Sequence, residues 1–149
     1  MIIIDGIKSS DPPKLAELDK RCFVIPWSEK MFADELNNKL ANYVIARDGN
    51  RIAGYAGFWE VSGVADITNV AVDVDYRRQH IGSQLMEAMI KKAAGMKLNM
   101  LTLEVRASNL AAQGLYKKYG FNEIGTRKGY YRDNKEDAII MARGIDADE

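Results

Sequence analysis

The sequence predicts one mixed α/β domain whose sheet is mostly antiparallel, with one parallel pair and about four flanking helices. The first observation is three consecutive strand patterns joined by short turns in the first half, which is typical of an antiparallel meander. The second is a strand, a helix and another strand in direct succession, which is typical of a parallel crossover. The chain has 149 residues, 47% of them hydrophobic. That size suits a single domain spanning residues 1–149.

The first element is a short apolar strand at residues 1–4, and two helices follow it. Asp11 stands before Pro12 and Pro13, so it is the expected N-cap of a helix that runs to about Cys22. The apolar residues after it are interrupted by a proline, which indicates a structured loop. Ser28 is the expected cap of a second helix, which turns three residues inward: Met31, Phe32 and Leu36.

The meander follows, beginning with a strand at residues 43–47. The Asp-Gly-Asn sequence at 48–50 predicts a hairpin turn, and its third residue favours a bulge or a longer loop. Gly54 and Gly57 in the returning strand suggest a bend or a bulge. A second turn at residues 62–63 leads into the third strand, 65–74.

The second half alternates helices and strands. The apolar spacing predicts a helix from Ile81, and Gly95 is a reasonable stop signal. An apolar strand at 100–105 follows, and Ser108 or Asn109 caps the next helix, which Gly120 ends. Two further strands are expected at residues 121–126 and 138–142.

The stretch from 69 to 86 is where the expected chemistry begins. A buried strand runs into a basic loop containing Arg77 and Arg78, and the loop opens the helix at Ile81. The first N–H groups of a helix have no partners within it and carry the positive end of its dipole, so this point is suited to an anion. Neither a P-loop sequence nor G-x-G-x-x-G is present. A solvated loop with no ligand is the alternative.

Composition excludes several classes of protein. The formal net charge is zero, whereas a general nucleic-acid binder would usually be basic. Cys22 is the only cysteine and His80 the only histidine, which excludes an internal disulfide framework and a histidine-rich metal site. We see no signal-peptide pattern and no long apolar segment, so we expect a cytoplasmic protein without a membrane segment.

Three further side chains are expected close to the anion site. Glu104 lies near the end of the strand that follows the motif helix, and the crossover would place it beside the end of the strand at 70–74. Asn109 and Tyr116 are seven residues apart and so lie on one face of the next helix. Each also has a structural interpretation, as a surface carboxylate, a helix cap and a core tyrosine respectively.

Several strings together resemble a known family. Residues 77–82 resemble the Q/R-x-x-G-x-G/A coenzyme A signature of the GCN5-related N-acetyltransferases (GNAT), with Arg77 in the first position, Gly82 in the last and His80 in place of the first glycine. The strings LEVRASN at 103–109 and EDAIIM at 136–141 are similar to the bacterial ribosomal-protein-alanine N-acetyltransferases. Leu115-Tyr116, Tyr119-Gly120-Phe121, Tyr130-Tyr131 and the PWSE at 26–29 extend the resemblance over nearly the whole chain.

The resemblance implies a GNAT fold, acetyl-CoA as co-substrate and no metal. It implies that Glu104 accepts the proton of the amine and that Tyr116 protonates the departing thiolate. The implied acceptor is the N-terminal segment of a small-subunit ribosomal protein, held near Trp27 and Tyr131, with no direct contact to nucleic acid or membrane. The residues implied to bind the cofactor are Val70, Ala71, Val72, Arg77, Arg78, Gln79, His80, Ile81, Gly82, Ser83 and Asn109.

His80 is the one departure from the signature. A histidine is compatible with a phosphate-binding loop if only its backbone N–H faces the ligand. A left-handed backbone at this position would suit glycine better. A role for His80 as the catalytic base is a weaker alternative.

Two other functions stay open. The same fold could acetylate a lysine side chain, a polyamine or a small amine. From a different class, the chain could be a non-catalytic acyl-CoA sensor or a subunit of a complex, for which loss of Glu104 or Tyr116 would be the sequence sign. Both residues are present.

Overall fold

The structure, a computed structural model, describes residues 1–146 and residue 149. These residues form a seven-stranded sheet with helices on both faces. In chain order the elements are β1 (Ile2–Asp5), α1 (Pro12–Cys22), α2 (Glu29–Glu35), β2 (Ala41–Asp48), β3 (Arg51–Val61), β4 (Val64–Val72), a 3-10 turn (Val74–Tyr76), α3 (Ile81–Gly95), β5 (Met100–Arg106), α4 (Leu110–Lys118), β6 (Asn122–Arg127) and β7 (Ala138–Gly144).

The strand order across the sheet is β1-β2-β3-β4-β5-β7-β6. Within the described residues, β4 and β5 form the one parallel pair and the other neighbours are antiparallel. The predicted meander is β2-β3-β4, and the predicted crossover is β4-α3-β5. The mixed sheet and its parallel pair are therefore confirmed.

The parallel pairing of β4 with β5 is short. Val64 to Asp66 pair with Met100 to Thr102, and the register ends there. Just beyond, Gly57 pairs with Asn69 and Phe58 with Ile67, which leaves Thr68 as an extra residue in β4. A bulge increases the local twist of a strand, and this one lies where β4 leaves β5. Glu104, two residues beyond the last pair, is therefore not paired with β4, although it lines the same cavity as Thr68, Asn69 and Val70 near the end of that strand.

The two faces of the sheet carry separate cores. On one face, α3 buries Leu85, Met86 and Met89 together with Leu101 and Leu103 of β5. The other face is covered by α1 and α2, through the buried residues Leu15, Leu18, Phe32 and Tyr55. Alternate residues of each strand thus point toward α3 and α4 or toward α1 and α2.

Gly54 allows α3 to approach the sheet closely. A Cβ at this position would lie 2.7 Å from the carbonyl oxygen of Ala71 and 3.3 Å from side-chain atoms of Ile81 and Leu85. Ala53, beside it, is the extra residue in β3, since Ala46 pairs with Gly54 and Arg47 with Ile52. The predicted irregularity near Gly54 is confirmed.

Three local expectations need correction. Asp48 pairs with Arg51, so the first hairpin turn has two residues and the extra residue lies further along β3. Met31 is 43% exposed, because the short helix α2 turns only part of its surface to the sheet. β4 ends at Val72 and not at 74, because the Asp73 carboxylate accepts the N–H of Asp75 and begins the 3-10 turn.

Asp11 is the N-cap residue of α1, as expected, but its carboxylate does not cap the helix. It accepts the N–H of Lys8 at 2.7 Å and is held by two nitrogens of the Arg47 guanidinium. α3 ends at Gly95 as predicted, although Lys97 is the residue that takes the left-handed backbone after it. In the part of the chain that the structure describes, no helix is both long enough and apolar enough to span a membrane.

Candidate active site at the split in the sheet

A cavity of about 420 Å³ fills the split between β4 and β5. Its walls come from α1 and the loop after it, from both strands, from α4 and from the loop before β7. Six of the residues that the sequence analysis predicts for the functional site line this cavity: Trp27, Val70, Glu104, Asn109, Tyr116 and Tyr131. These residues come from five separate parts of the chain, and the opened sheet is what makes them neighbours.

Glu104 presents a carboxylate oxygen that has no hydrogen-bond partner. The side chain is 25% exposed, but its Oε2 atom is buried and accepts no hydrogen bond from the described residues. The Nε atom of Arg127 lies 3.4 Å from this oxygen, close enough for an ion pair but without hydrogen-bond geometry. Oε2 is therefore shielded beside Arg127, and the exposed part of the Glu104 side chain is formed by its other atoms.

Tyr116 presents a phenol in apolar surroundings. The residue is 8% exposed, and its ring centroid lies 5.9 Å from that of Phe121. Burial, with a smaller contribution from Tyr131, raises the pKa of the Tyr116 hydroxyl to about 12. The phenol is therefore protonated at neutral pH and lies at the wall of the cavity. Tyr116 is thus part of the core, as its structural interpretation predicts, and it also lines the cavity.

Trp27 is held in the loop between α1 and α2. Its backbone N–H donates to Asp19 at 2.9 Å, and its ring packs 5.4 Å from that of Phe32. The rest of this loop is apolar and exposed at Phe23, Val24 and Ile25. The loop thus carries an apolar rim at the mouth of the cavity.

Tyr131 lies at the opposite rim, in the loop between β6 and β7. The guanidinium of Arg106 stacks over its ring at 4.0 Å and also binds Asp133 and Glu136. Glu136 in turn accepts the backbone N–H of Ser108 at 2.6 Å. Burial raises the pKa of Tyr131 to about 12, although the positive charge of Arg106 acts to lower that pKa. Arg106 therefore fixes this loop to the end of β5.

The basic loop lies at the carboxyl end of β4. The side chains of Arg77, Arg78, Gln79 and His80 are exposed. His80 has φ +61° and ψ +23°, and Arg78 has φ +64°, so both are left-handed. The conformation that would suit glycine is thus adopted by the histidine. In the part of the chain that the structure describes, the first backbone N–H of α3 with a hydrogen-bond partner is that of Gln84, which donates to the carbonyl of His80. The N–H groups at the start of the helix, before Gln84, are left open.

Asp73 anchors this loop to the rest of the molecule. Its side chain is fully buried and meets Arg21 of α1 at 2.5 Å and Arg51 of β3 at 3.2 Å. Burial alone would raise the pKa of Asp73, but the N–H of Asp75 and the two guanidinium groups outweigh it and lower that pKa. The carboxylate therefore joins α1, β3 and the loop.

The remaining predicted cofactor residues lie around the start of α3. A Cβ on Gly82 would lie 3.3 Å from Leu115 and 3.9 Å from Val72, so α3 starts close to both α4 and the end of β4. Ile81 is buried, and Ser83 is half-buried. The carbonyl of Val72 is within 3.5 Å of the Cys22 sulfur. Asn109 caps α4 by accepting the N–H of Ala112 at 3.1 Å.

The structure therefore separates the predicted residues into two groups. Ala71, Val72 and residues 77–83 do not line the 420 Å³ cavity and instead surround the helix start beyond it. Nine lining residues were not among the predicted site residues, and they include Asp19, Thr68, Asn69 and Arg106. Asp19 had a signal, because it is four residues after Leu15 on the apolar stripe of α1, where a carboxylate is unexpected.

The described residues contain no group of three or more histidine, cysteine, aspartate or glutamate side chains that could hold a metal ion.

Comparison with known proteins identifies relatives over most of the chain. Residues 13–121 match the profile of the Acetyltransferase (GNAT) family. The ribosomal protein bS18-alanine N-acetyltransferase of Escherichia coli K12 is 40% identical over 147 residues, covering 97% of this chain and 99% of the relative. The N-alpha-acetyltransferase RimI of Mycobacterium tuberculosis is 33% identical over 148 residues, covering 95% and 92% of the two chains.

A solved structure agrees with this relationship. The crystal structure of the ribosomal-protein-S18-alanine N-acetyltransferase from Escherichia coli superimposes with a TM-score of 0.90 at 38% identity. The superposition covers 97% of this chain and 94% of that one. The two proteins therefore share the same fold over nearly their whole lengths.

Proposed function

The chain belongs to the acetyltransferase (GNAT) family, and we propose that it transfers the acetyl group of acetyl-CoA to the N-terminal alanine amine of ribosomal protein bS18. The observation that carries the proposal is a single cavity lined by the Glu104 carboxylate, the Tyr116 phenol and the aromatic residues Trp27 and Tyr131. The named activity of the Escherichia coli relative, matched over nearly its full length, supports the choice of acceptor.

Glu104 is the proposed proton acceptor. Acetyl-CoA supplies the acetyl group as a thioester, and only the neutral amine can attack it. A protein N-terminus has an ordinary pKa near ~8, so much of it is protonated at neutral pH. The Glu104 carboxylate, which lines the cavity, takes the proton that the amine must lose, directly or through water.

Tyr116 is the proposed proton donor. As the new N–C bond forms and the C–S bond breaks, the leaving thiolate needs a proton. The Tyr116 hydroxyl has a pKa of about 12, well above that of an ordinary thiol near ~8.5, so transfer to the thiolate is favourable. The reaction then leaves an acetylated N-terminus and a thiol.

The helix start beyond the cavity is the proposed cradle for coenzyme A. The open N–H groups before Gln84 and the basic side chains of the loop suit a pyrophosphate. The edge of β4 toward β5 is unpaired after Asp66, so it can run alongside the pantetheine arm. The residues proposed to contact the cofactor are Val70, Ala71, Val72, Arg77, Arg78, Gln79, His80, Ile81, Gly82, Ser83 and Asn109.

Trp27 and Tyr131 are the proposed contacts for the acceptor peptide, since they flank the cavity mouth from opposite sides. We propose further that residues 1–149 act as one domain in the cytoplasm, with no direct contact to nucleic acid or membrane. The ribosomal protein then supplies only its N-terminal segment to the site.

The proposal is tested by mass spectrometry of peptides after incubation with the protein and acetyl-CoA. A peptide copying the bS18 N-terminus should gain one acetyl group on its α-amine. The matched controls are the same peptide with a blocked N-terminus and an internal lysine, and a free polyamine. Faster acetylation of either control would contradict the proposed acceptor, and binding of acetyl-CoA with neither thiol release nor a modified acceptor would favour a non-catalytic role.

A further inference from the structure

We propose that Arg127 is a positioning residue for Glu104, whose guanidinium holds one oxygen of the carboxylate so that the other oxygen is presented to the acceptor amine. This inference rests on the proposed function and deepens it. It concerns a residue of the outer strand β6 to which the resemblance assigns no role.

The first argument is that the two carboxylate oxygens of Glu104 have different surroundings. Oε2 is buried, and the Nε atom of Arg127 lies 3.4 Å from it. Oε1 likewise accepts no hydrogen bond from the described residues, but it is not buried. The side chain as a whole is 25% exposed and lines the cavity. Arg127 thus occupies one side of the carboxylate, and a proton donor that enters from the cavity can reach only the other.

The second argument is that the register of the sheet brings Arg127 to Glu104. Arg127 pairs with Ala138 of β7, and Ala138 pairs with Arg106 of β5, so these three side chains lie on one face of the sheet. Glu104 is two residues before Arg106 and points to the same face. β5 and β6 lie on either side of β7, roughly 10 Å apart, a distance that needs a long side chain. Ala138 contributes only a methyl group between them, which leaves room for Arg127 to cross β7.

The third argument is that the guanidinium of Arg127 is itself held in place. It lies 6.0 Å from the centre of the Tyr130 ring, at the outer limit of a cation–π contact. Tyr130 packs edge-on against Tyr131, with the ring centres 5.1 Å apart, and Arg106 stacks over Tyr131 at 4.0 Å. The two arginines and two tyrosines therefore form one packed group. This group joins the Glu104 carboxylate to the rim proposed to contact the acceptor.

The fourth argument concerns how little this ion pair stabilises the fold. The Arg127 side chain is 58% exposed, and an ion pair with so exposed a partner adds little to the free energy of unfolding. Its position beside the proposed base indicates a role in the reaction instead. Proton transfer requires the carboxylate to meet the amine within a narrow range of distance and angle, and a carboxylate held on one side keeps that geometry.

The test replaces Arg127 with glutamine and with lysine and uses the peptide that copies the bS18 N-terminus (the alanine peptide). We expect Arg127→Gln to lower kcat by about tenfold, because the shorter neutral side chain no longer holds Oε2. The KM for acetyl-CoA and the free energy of unfolding should not change. Arg127→Lys should recover part of the loss, since it keeps the positive charge and most of the length but not the planar guanidinium. Lys128→Gln is the matched control, because it removes the same charge from the next, exposed residue and should leave kcat unchanged.

A double variant separates positioning from a general structural effect. The carboxylate is already absent in Glu104→Gln, so adding Arg127→Gln should lower kcat no further. The inference is overturned if Arg127→Gln keeps the wild-type kcat, if its effect persists in full in the Glu104→Gln background, or if it weakens acetyl-CoA binding or stability to a similar extent. A wild-type protein that does not acetylate the peptide overturns the proposed function as well. An active wild type with an unaffected Arg127→Gln variant overturns this inference alone.

Discussion

Glu104 and Tyr116 have different surroundings, which suit the opposite tasks proposed for them. The Glu104 side chain is partly exposed, and Arg127 lies 3.4 Å from its buried oxygen Oε2. The phenol is buried against Phe121, which keeps its proton firmly bound. Acetyl transfer to an amine requires such a pair. One group must be able to gain a proton, and the other must still hold its proton at neutral pH.

Replacing either residue with its closest neutral analogue should slow turnover. We expect Glu104→Gln and Tyr116→Phe each to lower kcat by about 10²–10⁴, because each removes one proton transfer and little volume. Acetyl-CoA binding should change little. Steady-state kinetics with the alanine peptide and calorimetry with acetyl-CoA measure the two effects. Glu123→Gln on the exposed part of β6 and Tyr119→Phe on α4 are matched controls. Normal turnover in both active-site variants would remove the assigned roles.

The pKa of Tyr116 also fixes part of the pH dependence of the wild-type protein. Since burial raises this pKa to about 12, the phenol stays protonated through pH 10, and kcat should not fall between pH 8 and 10. Above about pH 10 the same raised pKa acts against the stability of the folded protein. The unfolded phenol ionises near ~10 and the folded one does not, so this group lowers the free energy of unfolding as pH rises from about 10 to 12.

At the scale of elements, the loop between β4 and α3 depends on backbone conformation more than on side chains. The left-handed backbone at Arg78 and His80 turns the chain so that the N–H groups at the start of α3 stay open. An L-residue in this conformation costs about 1–2 kcal/mol. The loop therefore holds some strain at the point proposed to bind the pyrophosphate.

His80 offers a direct test of that strain. Glycine is usually less stabilising than alanine by about 0.5–1 kcal/mol, but a positive φ reverses this order. We therefore expect His80→Gly to have a higher free energy of unfolding than His80→Ala, by about 1 kcal/mol in urea denaturation. Acetyl-CoA affinity should be similar in both, because the histidine side chain is exposed and only the backbone is proposed to bind. Equal stability of the two variants would contradict the left-handed assignment.

Helices and strands with a strong local signal could be predicted from the sequence. The candidate site, which brings several of these elements together, could be predicted only in part. The apolar periodicity from Ile81 and the caps at Ser28 and Asn109 are encoded within a few residues, and each is found. The split is not encoded locally, because it depends on one extra residue at Thr68 and on where β5 ends its pairing. Asn69 was missed for the same reason, since its position in the cavity wall needs the folded sheet.

At the scale of the whole molecule, Asp73 connects parts that are far apart in the sequence. Arg21 of α1 and Arg51 of β3 converge on this one buried carboxylate, which also begins the turn into the basic loop. The cofactor loop, the first helix and the sheet are thus held by the same charge. Loss of that charge should affect global stability and not only the loop.

Asp73→Asn should lower the free energy of unfolding at pH 7 by about 2 kcal/mol, because it removes a buried charged acceptor from its hydrogen bonds to two half-exposed arginines. The pKa of Asp73 is lowered in the folded protein. Its stabilisation is therefore full above the unfolded pKa near ~3.9 and is lost as pH falls through the lower folded value. Urea denaturation at pH 7 and pH 2.5 should show a smaller difference between wild type and variant at the lower pH.

Asp75→Asn is the matched control, because Asp75 binds the same Arg51 but is 62% exposed. An exposed ion pair of this kind is worth about 1 kcal/mol or less. If the two variants lost equal stability at pH 7, burial of Asp73 would not be the cause of its effect.

The early end of the β4 and β5 pairing has a consequence for self-association. An open sheet ordinarily offers unpaired backbone at its two outer strands, where a second chain can add to it and begin an aggregate. This sheet holds a further stretch of unpaired backbone at its centre, enclosed by the loops around Trp27 and Tyr131. The edge strand of another folded sheet cannot easily reach that interior margin, whereas a narrow, flexible ligand or a chain end can. Opening the sheet in the middle thus gives such ligands backbone contacts that are kept from the sheets of other proteins.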